Sequence, residues 1–318
     1  MTLLFSICLY THNRARLLAQ VLESVCTQTL PADQFEIIVV DNRSTDNTHS
    51  IIEDYSRRFT NLRTIYEEQL GSAVARNRGW REASGDFVGF IDDDGKAPPE
   101  WLSVAARVIR DQAPDLFGGP IYPFFETSKP DWFKEAYGTF TVLGESRFLA
   151  SADEYLSGSN LFVRRRLLDE IGGFEPSLGM KGRKIGYGEE TVLIRRVRLR
   201  FPSCRIYYAA DLFNYHLVRQ EKMGFEWQLH QRFAQGRDSY HIFNDGVHRV
   251  APRHVLGFLA LPIIISLEAT LGVLLRDRHA YPYTQNYYYE RVFQRIATLG
   301  KIYERLRCVL GARRSLNG

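Results

Sequence analysis

The sequence predicts a doubly wound α/β sheet followed by a helical C-terminal extension. Three observations carry that expectation. Short apolar, β-rich runs alternate with helix-like segments through the first hundred residues, polar clusters follow three of those runs directly, and beyond Tyr215 the pattern changes to long helical stretches. Of the 318 residues, 45% are hydrophobic and 25% charged, enough apolar material for a large core and too little charge for long disorder.

Taken in order, apolar spacing predicts a strand over residues 4–9, a helix over 17–27, a strand over 36–40 and a helix over 48–59. A strand over 62–66, a helix over 71–83 and a strand over 87–91 follow, giving β-α-β-α-β-α-β and hence a sheet built from right-handed crossovers. Residues 114–160 are rich in Pro, Gly and aromatics and read as loops and short strands around a pocket. Helices are expected again near 165–171 and 189–200. The expected organisation is one catalytic unit over 1–220, divided near residue 110, and an extension over 221–318.

A net charge of +4 and a pI near 8.8 suit an anionic ligand or an acidic membrane surface, and equally suit plain solubility. Cys8, Cys26, Cys204 and Cys308 lie far apart without CxxC spacing, which points away from a zinc knot or a disulfide framework and towards a reducing cytoplasm. The run Leu3-Leu4-Phe5-Ser6-Ile7-Cys8-Leu9 reads as a strand rather than as a secretory signal.

In sheets of this class, ligands bind beyond the carboxyl ends of the strands. The clusters Tyr10 to Arg14, Asp41 to Asp46 and Asp92 to Asp94 all sit there and should converge on one crevice. Asp92-Asp93-Asp94 follows the apolar strand Phe87-Val88-Gly89-Phe90-Ile91, where three adjacent carboxylates repel one another unless a cation compensates. A divalent Mn²⁺ or Mg²⁺ bridging to diphosphate oxygens would do so, and a solvated acidic turn would explain the triplet alone nearly as well.

The loop Tyr10-Thr11-His12-Asn13-Arg14 is followed by Asp41-Asn42-Arg43-Ser44-Thr45-Asp46-Asn47-Thr48 and then by Gly71-Ser72-Ala73-Val74-Ala75-Arg76-Asn77-Arg78-Gly79. After the Asp triplet come Gly172-Gly173-Phe174 and Gly188-Glu189-Glu190-Thr191. In this order, over about residues 3–235, the chain resembles the family 2 glycosyltransferases of the GT-A fold. The resemblance implies an inverting transferase that moves a sugar from a nucleotide diphosphate donor, a UDP-linked one, to a hydroxyl of a glycan, polysaccharide, lipid-linked or small-molecule acceptor. It makes residues 1–110 the nucleotide-binding half and 111–220 the acceptor half.

Carried over position by position, Thr11, Asn13 and Arg14 would line the nucleotide pocket, Asp41 would accept hydrogen bonds from the base, and Arg76 and Asn77 would approach the nucleotide or diphosphate. Residue chemistry agrees, since a guanidinium suits phosphate and a carboxylate suits base N–H groups. Asp94 would hold the metal, with His216 and Asp92 as further ligands and Asp92 also serving the ribose. Asp93 has the least claim to a direct role.

Glu190 inherits the general base that takes the acceptor proton, with Glu189 as the alternative, although relatives usually carry Asp at the second position. Both acidic residues would also suit a helix N-terminus. Asn160, Trp101 and Glu189 are candidates for contact with sugar or acceptor, and Trp101 fits a core position equally well. Rival readings are a nucleotide-sugar-binding protein without turnover and a nucleotidyltransferase, the latter weakened by the absence of glycine from 10–16.

Residues 255–275 form an apolar run interrupted by Pro262, Ser266, Glu268 and Thr270, which favours an interfacial, hinge or homodimer helix over a membrane span. The basic, tyrosine-rich residues after it suit anionic headgroups. The expected setting is the cytoplasm, either free or at the cytoplasmic face of a membrane, without nucleic acid as a partner.

Overall fold

The computed structural model describes residues 3–151, 153–182, 184–243 and 250–315. They form two compact units. The first comprises Met1–Phe124, Glu135–Lys184 and Glu189–Leu217, and the second Phe125–Lys134, Ile185–Gly188 and Val218–Gly318.

In the first unit β1 (Phe5–Thr11) runs parallel to both β2 (Phe35–Asp41) and β4 (Phe87–Asp92), with β3 (Leu62–Tyr66) beyond β2. The helices between them are α1 (Ala15–Cys26), α2 (Thr48–Arg58) and α3 (Ser72–Arg81). After β4 come β5 (Gly95–Lys96), α4 (Trp101–Gln112), β6 (Leu116–Gly118), β7 (Ile121–Phe124), β8 (Arg147–Phe148), β9 (Leu161–Arg164) and α5 (Arg165–Ile171). The unit closes with α6 (Glu189–Arg200), β10 (Ile206–Tyr208) and β11 (Asn214–Leu217). Among the described residues the main sheet has the order β3-β2-β1-β4-β9-β6-β10-β8, and β5-β11-β7 form a smaller one. Because β9 runs antiparallel to β4 and β6, the sheet is mixed.

Every residue of β2 is buried, as expected for a parallel strand with helices on both faces. Alternation along the strands divides the core in two. Ile7, Leu9, Ile37 and Val39 pack with Leu18, Val21 and Leu22 of α1, whereas Cys8, Ile38 and Val40 pack with Ala75 of α3 and with Leu193 and Val197 of α6. Each fully buried Leu or Ile contributes roughly 1.5–3 kcal/mol, so these two layers supply the main force that holds the strand ends in register. The short strands expected within 114–160 include β6 and β8, which join the main sheet. Two- and three-residue strands leave no readable period.

The second unit contains α7 (Phe225–Ile242), α8 (Pro252–Leu267), α9 (Thr284–Tyr287) and α10 (Phe293–Ser315), and a wide π-type turn, Glu268–Gly272, continues α8. α7 and α10 approach closely where they have glycines. A Cβ on Gly236 would lie 1.7 Å from the Ala297 carbonyl oxygen, and one on Gly300 would lie 2.3 Å from that of Phe233. Between them Glu304, 1% exposed, accepts hydrogen bonds from Arg307 and pairs with His241 at 2.7 Å.

Candidate active site

The strand ends of the first unit supply the acidic centre. β4 stops at Asp92 and the chain turns through Asp93 and Asp94 into β5, so strict strand alternation does not continue through the triplet. The turn still brings Asp92 and Asp94 together. One ligand atom from each, with one from His216 on β11, all lie within 4.8 Å of one another, and His216 Nε2 is 3.0 Å from Asp94 Oδ1. The pairing of β11 with β5 sets His216 opposite Gly95, which is why a residue 122 positions away meets the triplet. Two carboxylates suit Mn²⁺ or Mg²⁺, and the imidazole beside them favours the transition ion of the two.

A buried cation joins this centre to α6. Arg76, 5% exposed, donates from Nη2 to Asp92 Oδ1 at 2.9 Å and from Nη1 to Glu189 Oε1 at 2.7 Å. Ser72 Oγ donates to the same Glu189 oxygen at 2.9 Å, and the guanidinium lies over the Tyr10 ring at 5.0 Å and the Phe174 ring at 5.6 Å. Asp92, Asp93, Asp94, Glu189 and Glu190 therefore share a crevice in which one guanidinium already answers two of them. That surplus of negative charge is a physical reason for a divalent cation here.

Glu190 is partly exposed at the start of α6, and burial, followed by the charge of Glu189, pushes its carboxyl up to about 7. Arg76 opposes that shift and Asp92 adds to it. Asp93 is likewise pushed up to about 7, by burial and then by Asp94, and its Oδ2 accepts the Thr11 hydroxyl at 2.8 Å.

The other expected site residues divide by location. Thr11, at the end of β1, and Asp41, at the end of β2, are buried, and Asp41 Oδ1 accepts the Ser44 amide at 2.9 Å. Asn13 is exposed with φ +53°, and its Oδ1 accepts the Thr45 amide at 2.7 Å, joining the first two loops. Arg14 is half-buried near Asp93, whose charge it favours. Asn77 is buried and clamps the Gly172-Gly173-Phe174 turn: its Nδ2 donates to the Phe174 carbonyl at 2.8 Å and its Oδ1 accepts from the Phe174 amide and Trp80 Nε1. Gly173 fits there with φ +79°, where a Cβ would lie 2.4 Å from Asn77 Oδ1. Asn77 thus faces this turn rather than a diphosphate.

Two expectations meet the core instead. Trp101 is 1% exposed, packs at 4.9 Å against the Phe162 ring and donates from Nε1 to Asn160 Oδ1 at 2.9 Å. Asn160, fully buried, gives its amide hydrogens to the carbonyls of Pro120 and Leu212. Both are occupied by protein and neither is open to a sugar. Sequence reasoning overlooked Tyr10, Ser72 and Asn42. Asn42 Oδ1 accepts the Gly71 amide at 2.8 Å and so fixes the start of α3; an Asn directly after a strand-terminal Asp and a Ser at a helix start were the available signals.

His241, Glu304 and Cys308 in the second unit also come within 4.8 Å. Arg307 occupies both Glu304 oxygens there, which makes an ion-paired helix contact the simpler account.

Residues 6–172, more than half of the chain, match the Glycosyl transferase family 2 model. The chain belongs to glycosyltransferase family 2. It is 32% identical over 173 residues to Glycosyltransferase AglE of Haloferax volcanii, a match covering 53% of this chain and 55% of that protein, so it spans about half the length of that relative. It is 25% identical over 234 residues to the Glucosyl-dolichyl phosphate glucuronosyltransferase of the same organism, covering 72% of this chain and 74% of that one. Among solved structures it resembles the mannosyltransferase PcManGT from Pyrobaculum calidifontis in complex with GDP-Man and Mn²⁺, with TM-score 0.65 and 18% identity, covering 95% of this chain and 86% of that one. S. aureus TarS 1-349 in complex with UDP-GlcNAc gives TM-score 0.57 and 19% identity, covering 96% and 92%. At such identities the structural likeness speaks for the fold, a GT-A glycosyltransferase with a helical C-terminal region.

Proposed function

We propose that this family 2 glycosyltransferase moves a sugar from a nucleotide diphosphate donor to an acceptor hydroxyl by a single displacement that inverts the anomeric carbon. The observation that carries the reading is the convergence of Asp92, Asp94 and His216 at the carboxyl end of β4, coupled through Arg76 to the start of α6, where Glu190 sits. The nucleotide lies across the ends of β1 and β2, against Thr11, Asn13, Arg14 and Asp41. Asp94, His216 and Asp92 would hold a divalent ion, which when bound would offset the charge of the donor diphosphate.

Glu190 takes the proton from the acceptor hydroxyl as its oxygen bonds to the anomeric carbon, and the bond from that carbon to the diphosphate breaks, releasing the nucleotide diphosphate. A carboxyl raised to about 7 is well matched to that proton. Glu189 positions rather than reacts: buried against Ser72 and Arg76, it holds the guanidinium that fixes Asp92. Full transfer by a Glu190→Gln variant would remove the base role.

The donor in this reading is UDP-linked, in keeping with UDP-GlcNAc in TarS, while GDP-Man in PcManGT makes GDP-sugars the first competitors to try. The acceptor is a glycan or glycolipid hydroxyl, and the name of the dolichyl phosphate relative adds a polyprenyl-phosphate-linked sugar to the trial set. The reaction belongs to the cytoplasm. Transfer and donor hydrolysis measured over UDP- and GDP-sugars, with and without Mn²⁺ or Mg²⁺, test the assignment. Metal-dependent turnover of a UDP-sugar is expected. Nucleotide binding without turnover of any donor, or release of pyrophosphate, would replace it with one of the rival classes.

A further inference from the structure

The helix α8 and its continuation have an outer face that the transfer reaction does not use. Leu256, Leu259 and Ile263 are 66%, 64% and 62% exposed, and the exposed series continues through Leu267 and Leu271 to Leu274 and Leu275. Between residues 255 and 275 the sequence has one ionisable side chain, Glu268, and Arg295 pairs with it from the segment that leads through α10. The outward surface is thus free of charge for about 30 Å at 1.5 Å per residue.

Its opposite side, from Gly257 and Phe258 through Leu261 and Ile265 to Ala269, is only half-buried against protein. Gly257 packs near Ile302, Gly272 lies against Tyr287, and the Tyr288 hydroxyl donates to the Ala269 carbonyl. The helix Pro252–Gly272 is long and apolar enough to cross a bilayer, but with one flank packed on α10 and neighbouring residues it suits burial to partial depth. A contiguous apolar face of this size on a water-soluble surface needs a cover.

Charge identifies the cover. Arg253 at one end and Arg278 beyond the other are both exposed, and Tyr283, 43% exposed, follows. From residue 276 to the end the chain has nine Lys or Arg against three Asp or Glu, and the remainder of the chain holds 32 against 34. The whole basic excess of the protein therefore lies in the segment that follows the apolar face. An uncharged stripe bounded by arginine and tyrosine matches the acyl boundary and anionic headgroups of a lipid surface, whereas a second copy of the same basic segment would meet it with like charge.

We propose that α8 lies in the plane of an anionic membrane surface, its Leu and Ile face in the acyl boundary and Arg253 and Arg278 at the headgroups. The inference is independent of the transfer chemistry.

The test is co-sedimentation of the full chain, purified without detergent, with phosphatidylcholine vesicles and with vesicles containing one third phosphatidylglycerol. Tighter binding to the anionic vesicles is expected, weakening with added salt. Leu259→Glu with Ile263→Glu should lower partitioning at least tenfold while circular dichroism stays unchanged, and Arg253→Gln with Arg278→Gln should reduce the preference for phosphatidylglycerol by about fivefold per arginine. Donor hydrolysis run in parallel reports separately on the active site. Lack of binding to either vesicle would overturn the proposal, as would a dimer in sedimentation velocity that the Leu259/Ile263 variant converts to monomer without any change in vesicle binding.

Discussion

The crevice at the end of β4 and the outer face of α8 break the ordinary rule of burial in opposite senses. In the crevice Asp94, Arg76 and Glu189 are buried charges, and on α8 a row of Leu and Ile stands in the open. Buried charge is costly unless it is paired, and exposed apolar surface is costly unless it is covered. In our proposals each region is completed by something the folded chain alone does not supply: a cation with an anionic donor in one, a lipid surface in the other. Substitution should separate them cleanly, because the crevice couples charge to activity and fold, whereas α8 can lose its face without losing its helix.

The largest effect is expected at the reacting groups. Glu190→Gln and Asp94→Ala should each lower kcat/KM by about 10³-fold with an unchanged circular dichroism spectrum, as befits loss of a general base or of a metal ligand. Turnover near that of the parent in either variant would remove that residue from the centre. Next comes Arg76→Met, which leaves Glu189 buried without its cation and should cost roughly 3–5 kcal/mol in urea unfolding. Retained stability would mean that the pair is not what holds α3 to α6.

The pH profile is a smaller but sharper test. Glu190 must be ionised to accept a proton and its carboxyl is held up to about 7, so kcat/KM should fall tenfold per unit as pH drops below about 7 and level off above it. Its charged neighbours there are Glu189, Arg76 and Asp92, and the profile should flatten in Glu190→Gln, which has no carboxyl to titrate.

In the second unit the sign is reversed. Burial alone would raise the Glu304 carboxyl, but hydrogen bonds from Arg307 and His241 hold it down to about 2. A carboxyl depressed in the folded state stabilises fully above its unfolded value near 4.5, and that contribution should be lost as pH falls from there towards 2, seen as a declining melting temperature that Glu304→Gln does not share. The smallest effect is expected on α8, where Leu256→Glu should change stability by no more than about 0.5 kcal/mol.

The two regions also differ in how far the sequence disclosed them. The first four strands and their helices were legible because apolar period and strand-end polarity agree there, and the same agreement places Thr11, Asp41 and Asp92 at strand ends with Asp94 just beyond. Asn160 was misleading and Trp101 undecided between sugar and core, since an aromatic and an amide near a site have the same letters whether they face a sugar or each other. Only the packing of Phe162 against Trp101 and the carbonyls of Pro120 and Leu212 around Asn160 decide that. The role of Ser72 and Arg76 as a brace for Glu189 was likewise hidden, because it depends on bringing α3 and α6 together across 113 residues. For 255–275 composition is readable from the sequence but direction is not. Which face of α8 is open, and that Glu268 turns to Arg295, follows from helix packing alone.

The most direct test of the central claim is the anomeric configuration of the first product formed from an accepted nucleotide-sugar, read by proton NMR before any mutarotation. A single displacement with Glu190 as base predicts the configuration opposite to that of the donor. A product that keeps the donor's configuration would contradict it.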